Sequence, residues 1–90
     1  MRVARRFLID GRVQGVGFRY FTHEVASREG VTGWVRNLPD GRVEAYVEGD
    51  SQAVTRVEQA LRQGPRGARI DDVYADDEPP SNGYAQFDIR

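Results

Sequence analysis

The 90-residue chain contains no cysteine and a single histidine, and every one of its thirteen basic residues is arginine. Without cysteine there is no disulfide, no thiolate nucleophile, no iron–sulfur cluster and no cysteine zinc site. Long apolar runs are also missing: none approaches the roughly 20 residues needed to span a bilayer. The start, Met1 to Phe7, alternates and soon meets Asp10, so it lacks a signal-peptide core. A cytoplasmic protein with no membrane partner is expected. Excess charge is missing too: the net charge is −1, which gives nucleic acid no global attraction. The absence of lysine fits a GC-rich genome better than heat adaptation, which arginine enrichment alone argues weakly.

The charge is unevenly spread. Residues 1–42 hold eight arginines and four acids, whereas residues 43–90 hold five arginines and ten acids. An anionic ligand is therefore favoured near the N-terminal half. Ninety residues make one domain, residues 1–90, with one core. Val3 to Val13 alternates as a long first strand. Phe18, Phe21 and Val25 then follow helical spacing as far as Glu29, and Gly30 stops the helix. Val31–Asn37 reads as a second strand, Leu38-Pro39-Asp40-Gly41 as a tight turn, and residues 42–48 as a third strand. Asp50 caps a second helix with a Val54/Val57/Leu61 stripe, ended by Gly64-Pro65. Ile70–Ala75 is a fourth strand, residues 78–83 a loop, and Tyr84–Arg90 a last strand. This β-α-β-β-α-β order with an added short strand predicts an α+β fold. It is a ferredoxin-like α/β sandwich, a mainly antiparallel sheet with two helices on one face.

One stretch stands out: Gly11-Arg12-Val13-Gln14-Gly15-Val16-Gly17-Phe18-Arg19. Two glycines two apart let the backbone turn sharply and gather N–H groups, and the helix adds its positive end. Arg19 adds a forked cation. The loop is neither a Walker sequence nor a dinucleotide fingerprint, since no Gly-Lys-Ser/Thr follows and Tyr20 takes the third glycine's place. On the glycines alone, a tight strand-to-helix connection is the better reading. Asn37, taken alone, is best read as a turn-entry residue.

Together these residues resemble a known family. GRVQGVGFR at 11–19 and GWVRN at 33–37, followed by Asp40-Gly41, are similar to the signatures of the acylphosphatases. Gly30, Gly49 and Gly64-Pro65 extend the resemblance over nearly the whole chain. It implies that Arg19 and Asn37 are catalytic. It also implies that main-chain N–H groups of Gln14, Gly15, Val16, Gly17, Phe18 and Arg19 bind the phosphate, or a sulfate in its place. It places the last strand beside residues 31–37.

Other candidates carry less. His23 lies off the apolar stripe of its helix and is expected to be exposed. Asp71, Asp72, Asp76, Asp77 and Glu78 read as a solvated sheet edge rather than a metal site. RNA-recognition domains share this topology, but here Glu44 and Glu48 flank Tyr46, read as the one exposed aromatic of its strand, and would repel phosphates. No nucleic-acid partner is expected.

With no thiolate, no His-Asp relay and no evident metal cluster, hydrolysis of an ordinary phosphate monoester is out of reach. A carboxyl–phosphate anhydride releases a carboxylate and needs no acid. The expected function is hydrolysis of small acyl phosphates without metal or cofactor, by a monomer. The alternative is an anion-binding module of a larger hydrogenase-maturation protein. The chain begins with Met1 and ends just after its last strand; if Arg90 is the natural end, the free-standing enzyme is expected.

Overall fold

Strand β1 (Arg2–Arg12) sends Phe7 and Ile9 into the core and Arg6 and Leu8 to the opposite face, as a period of two requires. The computed structural model describes residues 1–90 and places β1 inside a five-stranded sheet of order β4-β1-β3-β2-β5. Strand β2 spans Thr32–Asn37, β3 Val43–Asp50, β4 Arg69–Glu78 and β5 Phe87–Ile89. All pairings are antiparallel except β2 with β5, where Gly33, Trp34 and Val35 face Phe87, Asp88 and Ile89. Helices α1 (Phe18–Glu29) and α2 (Ser51–Gln63) complete the ferredoxin-like sandwich.

Helix α1 has the expected limits, and Gly30 ends it with φ of 73°. Its buried stripe differs from expectation: Thr22 and Ala26 are buried, whereas Phe21 is only half-buried. The Thr22 hydroxyl escapes an unpaired burial by donating to the Phe18 carbonyl at 2.8 Å. Asp50 caps α2 as expected, accepting from the Gln52 N–H at 3.1 Å. The core joins Phe7, Ile9, Val35, Val43, Ala45 and Val47 of the sheet to Phe18, Val25, Val54, Val57 and Leu61 of the helices.

Strand ends moved by a residue or more. Val13 lies beyond β1, β2 starts at Thr32, β3 runs on to Asp50, and β4 extends from Arg69 to Glu78. The last strand shrinks to three residues, because residues 79–86 leave the sheet edge and cross its open face.

That open face corrects the reading of the third strand. Tyr46 is only 6% exposed, and Glu44 and Glu48 are 6% and 0% exposed. Tyr46 stacks on Trp34 with ring centroids 6.2 Å apart, and Tyr84 closes over it at 5.4 Å. Glu44 lies between Arg6 and Arg36, each at 2.6 Å. Glu48 accepts from the Tyr46 hydroxyl at 2.7 Å, Arg2 at 2.9 Å, and the Ser81 and Asn82 N–H groups at 2.7 and 2.8 Å. The two glutamates are therefore not a repellent surface but buried anchors, each charge paired and hydrogen-bonded as burial demands. Alternation alone left this face open to solvent; long arginines and the 79–86 loop close it.

The acidic run is also more engaged than a solvated edge. β4 is an edge strand, but Asp77 pairs with Arg5 at 2.7 Å, Glu78 with Arg6 at 3.1 Å and Asp71 with Arg69 at 2.9 Å. No three His, Asp or Glu side chains converge as a metal site would need.

Candidate functional site

The connection from β1 to α1 is held in an unusual backbone shape. Gly15 and Gly17 have φ of 75° and 76°, in the left-handed region. A side chain at either would have space around it but the wrong backbone angle, so the requirement for glycine is conformational. Gly17 is the N-cap of α1 and brings no side-chain oxygen to the helix end, and the first turn holds no acid. Nothing in the chain competes with an external anion for the helix N-terminus.

The consequence is a row of free donors. None of the main-chain N–H groups from Gln14 to Tyr20 bonds to a protein acceptor, and the series resumes only at Phe21, which donates to the Gly17 carbonyl at 3.0 Å. Successive N–H groups around left-handed residues form an anion-binding concavity.

Arg19 and Asn37 meet at this loop. Gly15, Gly17, Arg19 and Asn37 border one cavity of about 210 Å³. Its apolar wall comes from Val13, Phe18 and Tyr20. Asn37 ends β2, opposite Val43, and strand alternation puts it on the same side as buried Val35, the side that carries the helices. Its amide takes no part in the hydrogen bonds that Gln14 and Arg19 make around it.

Arg19 is oriented by the end of the chain and not by an acidic side chain. One guanidinium nitrogen donates to the Arg90 main-chain oxygen at 3.0 Å, and the Arg90 N–H donates to the Val35 carbonyl at 2.8 Å. Arg2, Arg5 and Arg6 pair with Glu or Asp side chains, but Arg19 has no such side-chain partner. Its remaining donors stay available to a ligand.

Of the residues expected at the site, Gly15, Gly17, Phe18, Arg19 and Asn37 border the cavity. Gln14 and Val16 contribute main-chain N–H groups to the loop, but their side chains turn elsewhere. Val16 packs against the core. The Gln14 amide donates to the Leu38 and Arg42 carbonyls at 2.8 and 3.0 Å. Three participants were not read from the sequence: the Gln14 side chain, Tyr20 as part of the wall, and the Arg90 main chain. Tyr20's place directly after Arg19 was the only signal for it, and Arg90 gave none. His23 is exposed, as expected, and borders a different groove, against Phe87.

The fold and this cavity define a class: a ferredoxin-like α+β domain with a donor-lined pocket at its first strand-to-helix connection. The acylphosphatase family model matches residues 5–89. An acylphosphatase of Rubrobacter xylanophilus is 51% identical over 85 residues, covering 94% of this chain and 77% of that one. One from Anaeromyxobacter dehalogenans is 47% identical, covering 99% and 96%. The crystal structure of acylphosphatase from Bacillus subtilis superposes with a TM-score of 0.94 at 36% identity, over 98% of both chains. A stretch of full-length HypF, in its phosphate- and nucleotide-bound form, superposes at 0.89 with 26% identity but makes up 12% of that chain. The chain belongs to the acylphosphatase family, hydrolases that act on small acyl phosphates.

Proposed function

We propose that the free N–H groups of Gln14 to Arg19 hold the phosphoryl group of an acyl phosphate while Asn37 directs a water molecule at phosphorus. The row of free donors beside Arg19, which has no acidic side-chain partner, carries this reading. The water oxygen forms a bond to phosphorus as the bond from phosphorus to the acyl oxygen breaks in line. The carboxylate leaves with the electron pair. A carboxylate is stable unprotonated at neutral pH, so the leaving group needs no general acid. Asn37 cannot act as a base, and the proton of the water passes to a phosphoryl oxygen of the substrate.

Stabilisation comes from fixed donors aimed where charge gathers, the main-chain cradle and the Arg19 fork. No covalent enzyme intermediate, metal or cofactor is required by this route. A monomer in the cytoplasm is the setting we propose; no helix of the chain is long and apolar enough to cross a membrane.

Purified protein given benzoyl phosphate or acetyl phosphate in the presence of a chelator tests the reading. Metal-independent turnover is expected. Tight binding of inorganic phosphate without turnover would favour the second reading, a binding module, which the likeness to part of HypF supports.

A further inference from the structure

Tyr20 is 70% exposed, although it is a large aromatic residue in a chain that buries most of its others. Only Met1 and Tyr74 are comparably exposed among large hydrophobic residues, and neither borders the cavity beside Arg19. The other two apolar residues of that cavity, Val13 and Phe18, are 1% and 2% exposed and belong to the core. The Tyr20 ring is the one apolar surface at the cavity that a ligand can cover.

Tyr20 has no structural duty that accounts for its place. Its ring is absent from the aromatic pairs of the molecule, which join Phe18 to Phe21, His23 to Phe87, and Trp34 and Tyr84 to Tyr46. It stands in the first turn of α1, next to Arg19, so the two side chains leave the helix about 100° apart, consistent with 3.6 residues per turn. The cavity, about 210 Å³, is many times the roughly 10–15 Å³ that one water needs on this measure. A phosphoryl group held by the loop fills only part of that space. The acyl group must leave along what remains, and Tyr20 borders it.

We infer that Tyr20 reads the acyl end of the substrate and favours a flat aromatic acyl group over a short aliphatic one. This inference rests on the proposed phosphoryl-holding role of residues 14–19. The polar groups of the site all address the phosphoryl end, so Tyr20 supplies the discrimination they lack. Contact between two rings is worth about two- to tenfold in binding beyond simple burial.

The test compares wild type, Tyr20→Ala and Tyr20→Phe on benzoyl phosphate and acetyl phosphate, with the inhibition constant of inorganic phosphate measured alongside. Tyr20→Ala is expected to raise KM for benzoyl phosphate about threefold to tenfold. Its kcat, its KM for acetyl phosphate and its phosphate inhibition constant should stay within about twofold. Tyr20→Phe should behave as wild type, because the ring and not the hydroxyl does the work. An unchanged preference between the two substrates overturns the assignment. So does a shift of all three constants together, which marks a structural effect on the loop. A wild type that hydrolyses neither compound overturns the hydrolase reading and this inference with it. A wild type that hydrolyses both, with preference unaltered in Tyr20→Ala, overturns the inference about Tyr20 alone.

Discussion

Gln14 Nε2 lies 2.8 Å from the main-chain oxygen of Leu38, the residue that follows Asn37. The same nitrogen donates to the Arg42 carbonyl at 3.0 Å, and the Leu38 N–H donates to that carbonyl at 2.8 Å. Both acceptors are carbonyls, so only the NH₂ end of the amide fits there. One side chain therefore ties the anion loop to the turn that sets Asn37. The spacing between the phosphoryl cradle and the proposed water-directing amide is fixed by hydrogen bonds rather than by apolar packing alone.

Gln14→Ala should loosen that spacing. A misplacement of about 1 Å at a reacting centre can cost on the order of 10²-fold, so kcat should fall roughly 10- to 100-fold with a smaller change in phosphate inhibition. Two half-buried carbonyls lose a donor, and thermal unfolding should shift down by the equivalent of about 1–3 kcal/mol. Steady-state kinetics and a melting curve check both. Unchanged kcat would remove Gln14 from the positioning of Asn37.

Arg19→Ala removes a cation that no acidic side chain pairs with. Activity should fall on the order of 10³-fold or more, and inhibition by phosphate should weaken with it. Arg19→Lys should recover little, because one ammonium cannot supply two directed donors and also reach the Arg90 oxygen. Retention of most activity in pure Arg19→Ala protein would exclude the residue from the chemistry.

Much of this was legible because local rules and the global fold agree. The left-handed turn needs glycine at 15 and 17, Gly30 must stop α1, and Asp50 must cap α2; each is a strong local signal. The pairing of Arg19 with Asn37 was not readable from spacing, since residues eighteen positions apart meet only through sheet order; the family resemblance supplied it. The closed face of the sheet was missed for a related reason. Alternation says that Glu44, Tyr46 and Glu48 share a face. It does not say that Arg2, Arg6 and Arg36 and the loop at 79–86 cover that face.

Glu48 makes that cover sensitive to acid. Burial pushes its carboxyl up, but donors from Tyr46, Arg2, Ser81 and Asn82 outweigh burial and hold the pKa at about 2, against an ordinary 4.5. A carboxylate depressed on folding stabilises the fold fully above its unfolded pKa, and that contribution is lost as pH falls through the folded value. About 3 kcal/mol should therefore disappear between pH 4.5 and 2. Glu44, raised by burial but lowered further by Arg6 and Arg36, adds a slope of the same sign. Denaturant unfolding across that range should show the decline, and Glu48→Gln should flatten it while lowering stability at pH 7. An acid limb identical in Glu48→Gln and wild type would assign acid sensitivity elsewhere.

Asn37→Ala separates holding the phosphoryl group from directing the water. kcat for benzoyl phosphate and the inhibition constant of inorganic phosphate, measured on the same preparation, report the two roles independently. The predicted result is a fall in kcat of at least about 10²-fold, with phosphate inhibition within about twofold of wild type. Equal losses in both constants, or a kcat near wild type, would contradict the division of labour between the 14–19 loop and Asn37.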